Sequence, residues 1–174
     1  RDYDEMDFIE VYGEIISYNN ALQMNIKQIR KAYEDEYNAA DYMPTTEKNP
    51  ESMYQELLAY GKQIKNPYLR QVIEYYFEKD EKFIKKFKAH SAAKSVHHGF
   101  SGGLLEHTLS VVKFCEYMAG AYPILNRDLL YTAAMCHDIG KMKELSPFPT
   151  NDYTDDGQLL GHIVIGVEMI SDAI

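Results

Sequence analysis

The sequence predicts a mainly α fold preceded by a short β segment, and three observations carry that prediction. From Ser52 onward apolar side chains recur at helical spacing. Before Lys31 they alternate. The stretch between is polar and holds Pro44, Thr45, Thr46, Asn49 and Pro50. Hydrophobic residues make up 45% of the 174, enough to bury a sizeable core.

The elements follow in order. Residues 8–18 alternate imperfectly, Asn19-Asn20 is a turn signal, and Leu22, Met24 and Ile26 share one face of the next run. That pattern is a β-hairpin. A lone hairpin is marginal in water, so its strands are expected to join a sheet that begins before Arg1. Residues 31–50 read as a linker and set a boundary near residue 50. Ser52, with Gln55 three residues on, fits a capping box for a helix burying Met53, Leu57, Leu58 and Ile64. Asn66-Pro67 breaks it, and Tyr68, Leu69, Val72, Ile73, Tyr76 and Phe77 line a second. Asp80 can cap a third, with Phe83, Ile84 and Phe87 inward. Gly99–Gly103 is a loop, 104–119 and 127–139 are apolar helices, and Gly140 stands where a helix takes a left-handed stop. Residues 146–157 read as a surface loop and Gln158 starts a last helix.

Composition narrows the function. No apolar run is long enough for a membrane span, and no basic start precedes an apolar stretch, so no membrane partner and a cytoplasmic location are expected. The chain starts at Arg1 and stops at Ile174 within an apolar helical pattern, as a piece of a longer protein would. Cys115 and Cys136 lie among apolar residues at no ligand-like spacing and read as buried thiols. The net charge of −9 argues against nucleic acid, but it is unevenly spread: 61–100 carries +5 between segments of −8 and −6. That basic segment is either a solvated helix face or a surface that meets phosphate.

The chemistry concentrates in three helices. His107 shares a helical face with Leu104, Val111, Phe114 and Cys115. His137 lies behind Leu130, Ala133 and Ala134, with Asp138 on the edge of the same stripe, and His162 shares a face with Leu159, Ile165, Gly166 and Met169. All four point inward on this reading. A buried carboxylate is costly unless paired or bound to a metal. Three imidazoles and one carboxylate could share a divalent cation, and zinc, manganese, iron and cobalt all suit that mixture. Adjacent His and Asp let one bind an ion while the other reaches the same ion or a second, and two ions can clamp a phosphoryl oxygen. A single inward histidine is more often a core residue, and His162 taken alone would be read so.

Three quoted segments, AAKSVHHGFSGGLLEHT, CHDIGK and LLGHIVIG, carry a family resemblance. They resemble the HD-domain superfamily of metal-dependent phosphohydrolases, and within it the YhaM-type 3′→5′ exoribonucleases, over nearly the whole chain. The resemblance implies that residues 1–50 are the C-terminal part of an OB-like nucleic-acid-binding domain plus linker, and 51–174 a helical HD domain. It implies His107, His137 and Asp138 as metal ligands and His162 as support for a second ion. The family's final Asp would lie beyond Ile174, and Asp172 is not taken as its substitute. Asp138 and Lys141 are the expected catalytic groups. His97 and His98 are expected at the mouth of the site, on phosphate or metal.

Other residues have weaker claims. The Lys141 ammonium could hold a phosphate oxygen or balance a helix dipole. Glu106 and Glu144 could orient ligands. Tyr12 and Tyr18 could stack on bases, though in a chain with fifteen tyrosines packing is an equal account. The expected reaction is phosphodiester hydrolysis in single-stranded RNA or DNA, using one or two divalent ions, with Mn²⁺ foremost and Co²⁺, Fe²⁺ or Zn²⁺ as alternatives. A homo-oligomer is compatible with these residues. Two other readings stand beside it: an HD phosphohydrolase of nucleotides or cyclic dinucleotides, and a non-catalytic binding or regulatory module.

Overall fold

A computed structural model describes residues 3–4, 7–38, 41–42, 44–94, 98–148 and 150–174. The chain divides into two compact units, Arg1–Tyr42 and Met43–Ile174.

The first unit is a hairpin. β1 (Ile9–Tyr18) pairs antiparallel with β2 (Ala21–Lys31). Asn19 and Asn20 turn the chain with φ of 48° and 61°, the left-handed pair that a two-residue turn between twisted strands needs. The register shifts between Tyr12 and Gly13, where Lys27 bulges from the ladder. Ile15 faces Met24, Ser17 faces Leu22 and Val11 faces Ile29, so one side of the ribbon is apolar. Ile15, Leu22, Met24 and Ile26 are all exposed there. Tyr12 and Tyr18 fall on the opposite side, with Glu10 and Glu14, whose carboxylates pair with Arg30 and Lys27.

The second unit is helical, as predicted. α1 (Pro50–Gly61) starts one turn earlier than the capping box implied. Asn49 is the cap, accepting from the Ser52 N–H at 3.0 Å, and Pro50 occupies the first helical position, where its missing N–H costs nothing. Asn66 and Pro67 repeat that device at α2 (Pro67–Glu74), so the dipeptide that ends one helix starts the next. α2 runs into a π-helical turn, Tyr75–Lys79, closed by the Asp80 N–H on the Tyr75 carbonyl at 3.1 Å. Asp80 then caps α3 (Glu81–Ala89) through the Phe83 N–H. Phe77, Phe83 and Phe87 pack ring on ring at 5.2–5.7 Å, well inside the range of favourable aromatic pairs.

α4 (Gly103–Ala121) is the central helix, packed against α1, α3 and α5 (Arg127–Cys136). Leu104, Leu105 and Val112 of α4 and Tyr131 of α5 are completely buried. α6 (Lys141–Glu144) packs against α7 (Asp155–Leu159) and α8 (Gly161–Asp172).

Three expectations change here. The last helix is two, because Gly161 takes φ 72° between α7 and α8. The 146–157 stretch is not all surface: Leu145 and Tyr153 bridge, and Asn151 is buried. Phe114, placed on the inward face with His107, is 62% exposed, so that face opens to solvent at its far end. Both cysteines are free thiols, Cys136 buried and Cys115 half-buried.

Candidate metal centre

The centre is built where α4, the α5–α6 turn and α8 meet. His107 stands in the second turn of α4, His137 caps α5, Asp138 follows it, and His162 is the second residue of α8. His107, His137 and Asp138 each offer a ligand atom within 4.8 Å of the others. The Nε2 atoms of His107 and His137 are 3.2 Å apart, and they stand 3.3 and 3.2 Å from Asp138 Oδ2. His162 Nε2 lies 3.6 Å from the other oxygen, Oδ1. The Asp138 carboxylate is thus placed between two histidines on one side and one on the other.

Glycines make this approach possible. Gly103 admits the His98 backbone against the start of α4: a Cβ there would lie 2.0 Å from the His98 carbonyl oxygen. Gly140 does the same for α8, with the His162 carbonyl oxygen 2.0 Å from an added Cβ. The left-handed stop expected at Gly140 is not observed. Its φ is −61°, and the chain turns straight into α6. The glycine is required by proximity, not by conformation.

Hydrogen bonds fix the rings. His137 Nδ1 faces the Ala134 carbonyl at 2.8 Å, so that nitrogen donates; Nε2 donates to Asp138 while the ring is protonated and presents a lone pair to the cluster once it is neutral. His162 Nδ1 lies 2.9 Å from Glu144 Oε1, which also accepts the His162 N–H at 3.0 Å. Glu144 is itself buried. It therefore orients a ring of the cluster, as the sequence suggested. Glu106 does not: it accepts from Thr46 and Lys48, each at 2.7 Å, and ties the linker to α4.

Electrostatics favours an ionised carboxylate. Burial pushes the Asp138 carboxyl up, but hydrogen bonds from His107, His137 and Lys141 outweigh it and hold the pKa well below the carboxylate range. Burial likewise pushes His137 down, and Asp138 with the Ala134 carbonyl more than reverses that. Lys141 Nζ sits 2.8 Å from Asp138 Oδ2. It opens α6 instead of closing α5, so the helix-dipole account of this lysine gives way to a direct ion pair.

The remaining candidates are distributed as follows. The His98 ring lies 5.4 Å from the His107 ring, half-buried, in the left-handed conformation at φ 64°. His97 lies outside the described residues. Tyr12 and Tyr18 are exposed on the hairpin, in the other unit. One supporting residue escaped the sequence reading. Asn151, at φ 44°, donates to the Ala93 and Lys94 carbonyls at 3.1 and 3.0 Å and accepts from Ser91. It clamps the segment that leads to His98. Its only local signal was an Asn in a Pro-rich turn.

The donor set fits a divalent cation. Ligands about 2.1 Å from a common ion lie roughly 3.0–3.4 Å from one another, and the three close donors are 3.2–3.3 Å apart.

Comparisons agree with that chemistry. Residues 104–174 match the HD domain family. Over 172 residues, 98% of its length, the chain is 36% identical to the 3′-5′ exoribonuclease YhaM of Geobacillus sp. (strain WCH70), covering 52% of that protein. It is 35% identical to the protein of the same name from Listeria welshimeri, over 97% of the chain and 53% of the relative. The figure for Bacillus subtilis (strain 168) is 34%, over 98% and 54%. The chain spans about half the length of these relatives. No solved structure gives a significant match. Among the described residues no helix is long and apolar enough to cross a membrane.

Proposed function

From the match of residues 104–174 to the HD domain family we propose that the chain is part of a metal-dependent phosphodiesterase that shortens single-stranded RNA from its 3′ end. One observation carries the reading: the ligand atoms of His107, His137 and Asp138 converge, from two separate helices, within 4.8 Å. The relatives' printed activity supplies the substrate class and the polarity.

His107, His137 and Asp138 would hold the ion, with manganese the preferred metal. A divalent cation there supplies Lewis acidity toward a phosphoryl oxygen. The protein's own groups do the rest. Ala134 holds the His137 tautomer and Glu144 holds that of His162, so two imidazole lone pairs are aimed before substrate arrives. Asp138 stays ionised and offers Oδ1 on the His162 side, which suits a second ion. Lys141 can turn its ammonium from Asp138 to a phosphate oxygen. His98 stands beside His107, where the phosphate backbone would pass, and His97 is proposed to join it.

The hairpin is proposed as the end of an OB-like sheet within residues 1–50, ahead of the HD domain at 51–174. An exposed apolar side on a two-stranded ribbon supports this, because sheets bury such sides. Tyr12 and Tyr18 on the opposite side would stack against bases.

The test uses the full-length protein with Mn²⁺. Labelled oligoribonucleotide, oligodeoxynucleotide, mononucleotides and cyclic dinucleotides are compared. Stepwise 3′ shortening is expected, reduced about 10²-fold or more in Asp138→Asn. Hydrolysis of mononucleotides or cyclic dinucleotides alone would sink the exonuclease reading. Protein without bound transition metal, and activity untouched by His137→Ala, would favour a non-catalytic module.

A further inference from the structure

A second cavity of about 510 Å³ opens between α3 and the segment after α6, and it shares no lining residue with the metal centre. Its walls include Lys82, Lys85 and Lys86 of α3, with Ser91, Ser146 and Phe148. The volume is that of a small-ligand site.

Three lysines of the basic segment line this cavity. Arg70, Lys79, Lys88 and Lys94 each pair with a carboxylate, so their charge is locally cancelled. Among the described residues Lys82 and Lys85 pair with none. They are exposed and one helical turn apart, which puts both ammonium groups on the same side of α3. Lys86 is already engaged, donating to the Met142 carbonyl. Burial, and Lys143 nearby, hold the Lys86 pKa below the usual lysine value.

The other wall offers different chemistry. Ser146 Oγ accepts the Asp152 N–H at 3.0 Å, which leaves its own O–H to donate. Ser146 thus contributes a donor to a lining that is otherwise mostly apolar. The Phe148 ring is half-buried and gives the cavity an aromatic edge. Ammonium groups beside an aromatic surface are what a single nucleic-acid strand needs: cations for its phosphates and a ring for a base.

We propose that this cavity holds one nucleotide of a single-stranded RNA away from the cleavage site, its phosphate on Lys82 and Lys85 and its base against Phe148. The assignment rests on the ribonuclease reading above. It makes the cavity an anchor for long strands, which a substrate too short to span both sites does not use.

The experiment measures binding of a fluorescein-labelled twelve-nucleotide oligoadenylate to full-length protein, by anisotropy, in chelator so that nothing is cut. Lys82→Ala with Lys85→Ala should bind about tenfold more weakly, and the slope of log affinity against log salt should shrink by about 1.4, or 0.7 per lost phosphate contact. Phe148→Ala should weaken binding about tenfold with the slope unchanged. Lys82→Arg with Lys85→Arg should restore both quantities. With Mn²⁺ returned, all variants should cleave a dinucleotide at the wild-type rate. If wild-type protein digests the oligomer while the double variant binds it with unchanged affinity and slope, the anchor is wrong and the ribonuclease reading survives. If wild-type protein neither binds nor digests it, both are wrong.

Discussion

Replacing Gly140 by Ala separates two accounts of this residue by the sign of the effect. Gly140 has φ −61°, an ordinary right-handed conformation. Were nothing near it, alanine would stabilise the protein by about 0.4–1 kcal/mol, by restricting the unfolded chain. The structure predicts the reverse. An added Cβ lies 2.0 Å from the His162 carbonyl oxygen and 2.8 Å from the Gly166 nitrogen, both backbone atoms of α8. Reaching even 3.0 Å from that oxygen requires α8 to retreat by about 1 Å. Overpacking of this kind costs about 1–3 kcal/mol. The retreat also carries His162 away from Asp138 and strains its 2.9 Å bond to Glu144. A displacement of about 1 Å near a reacting centre can lower turnover about 10²-fold. Thermal unfolding of full-length Gly140→Ala, with elemental analysis of bound metal and an RNA-shortening assay, measures all three. Gly140→Asn, which a left-handed stop would tolerate, should fare no better. A variant as stable as wild type, or more so, with a full metal complement would refute the close-approach argument.

Two further outcomes follow from buried groups. Glu144→Gln keeps an oxygen for His162 but removes the negative charge behind its imidazole, and metal affinity should fall about 10–100-fold in calorimetric titration while the unfolding midpoint moves little; unchanged affinity would remove Glu144 from the site's support. His90 is buried, its Nε2 3.2 Å from the Leu145 carbonyl and its Nδ1 3.0 Å from that of Ser91. Burial, with Lys86 adding to it, pushes the imidazole below the ordinary value of about 6.5, against the pull of those carbonyls. A base that is harder to protonate when folded leaves stability full above that pH and erodes it as pH falls below. Denaturant midpoints between about pH 7 and about pH 5 should decline in wild type and decline less in His90→Gln; parallel curves would assign the acid limb elsewhere.

Local chemistry was legible wherever a few adjacent residues decide the outcome. The Asn19-Asn20 turn, the Asp80 cap and the helical spacing of Leu57, Val72 and Phe87 needed no distant partner to be read. The same local view misjudged Ser52, because Asn49 and Pro50 had been assigned to a linker although together they make the stronger helix start. It also took Phe114 as inward, since periodicity marks a face without saying how far along a helix the cover extends.

The site divides in the same way. The sequence by itself marked His107, His137, Asp138 and His162 as candidate ligands and assigned them to helices, because polar side chains on an apolar helical face stand out against a core pattern. Only the tertiary structure decided that Gly140 serves a contact, that Asp138 turns one oxygen to His107 and His137 and the other toward His162, that Glu106 serves the linker while Glu144 serves His162, and that Asn151 clamps the chain before His98. Apart from the adjacent His137 and Asp138, those partners are brought together across a gap in sequence by the packing of helices and the loops between them. Which side chains meet depends on helix placement, which arises from the whole buried surface and is not written in any one segment.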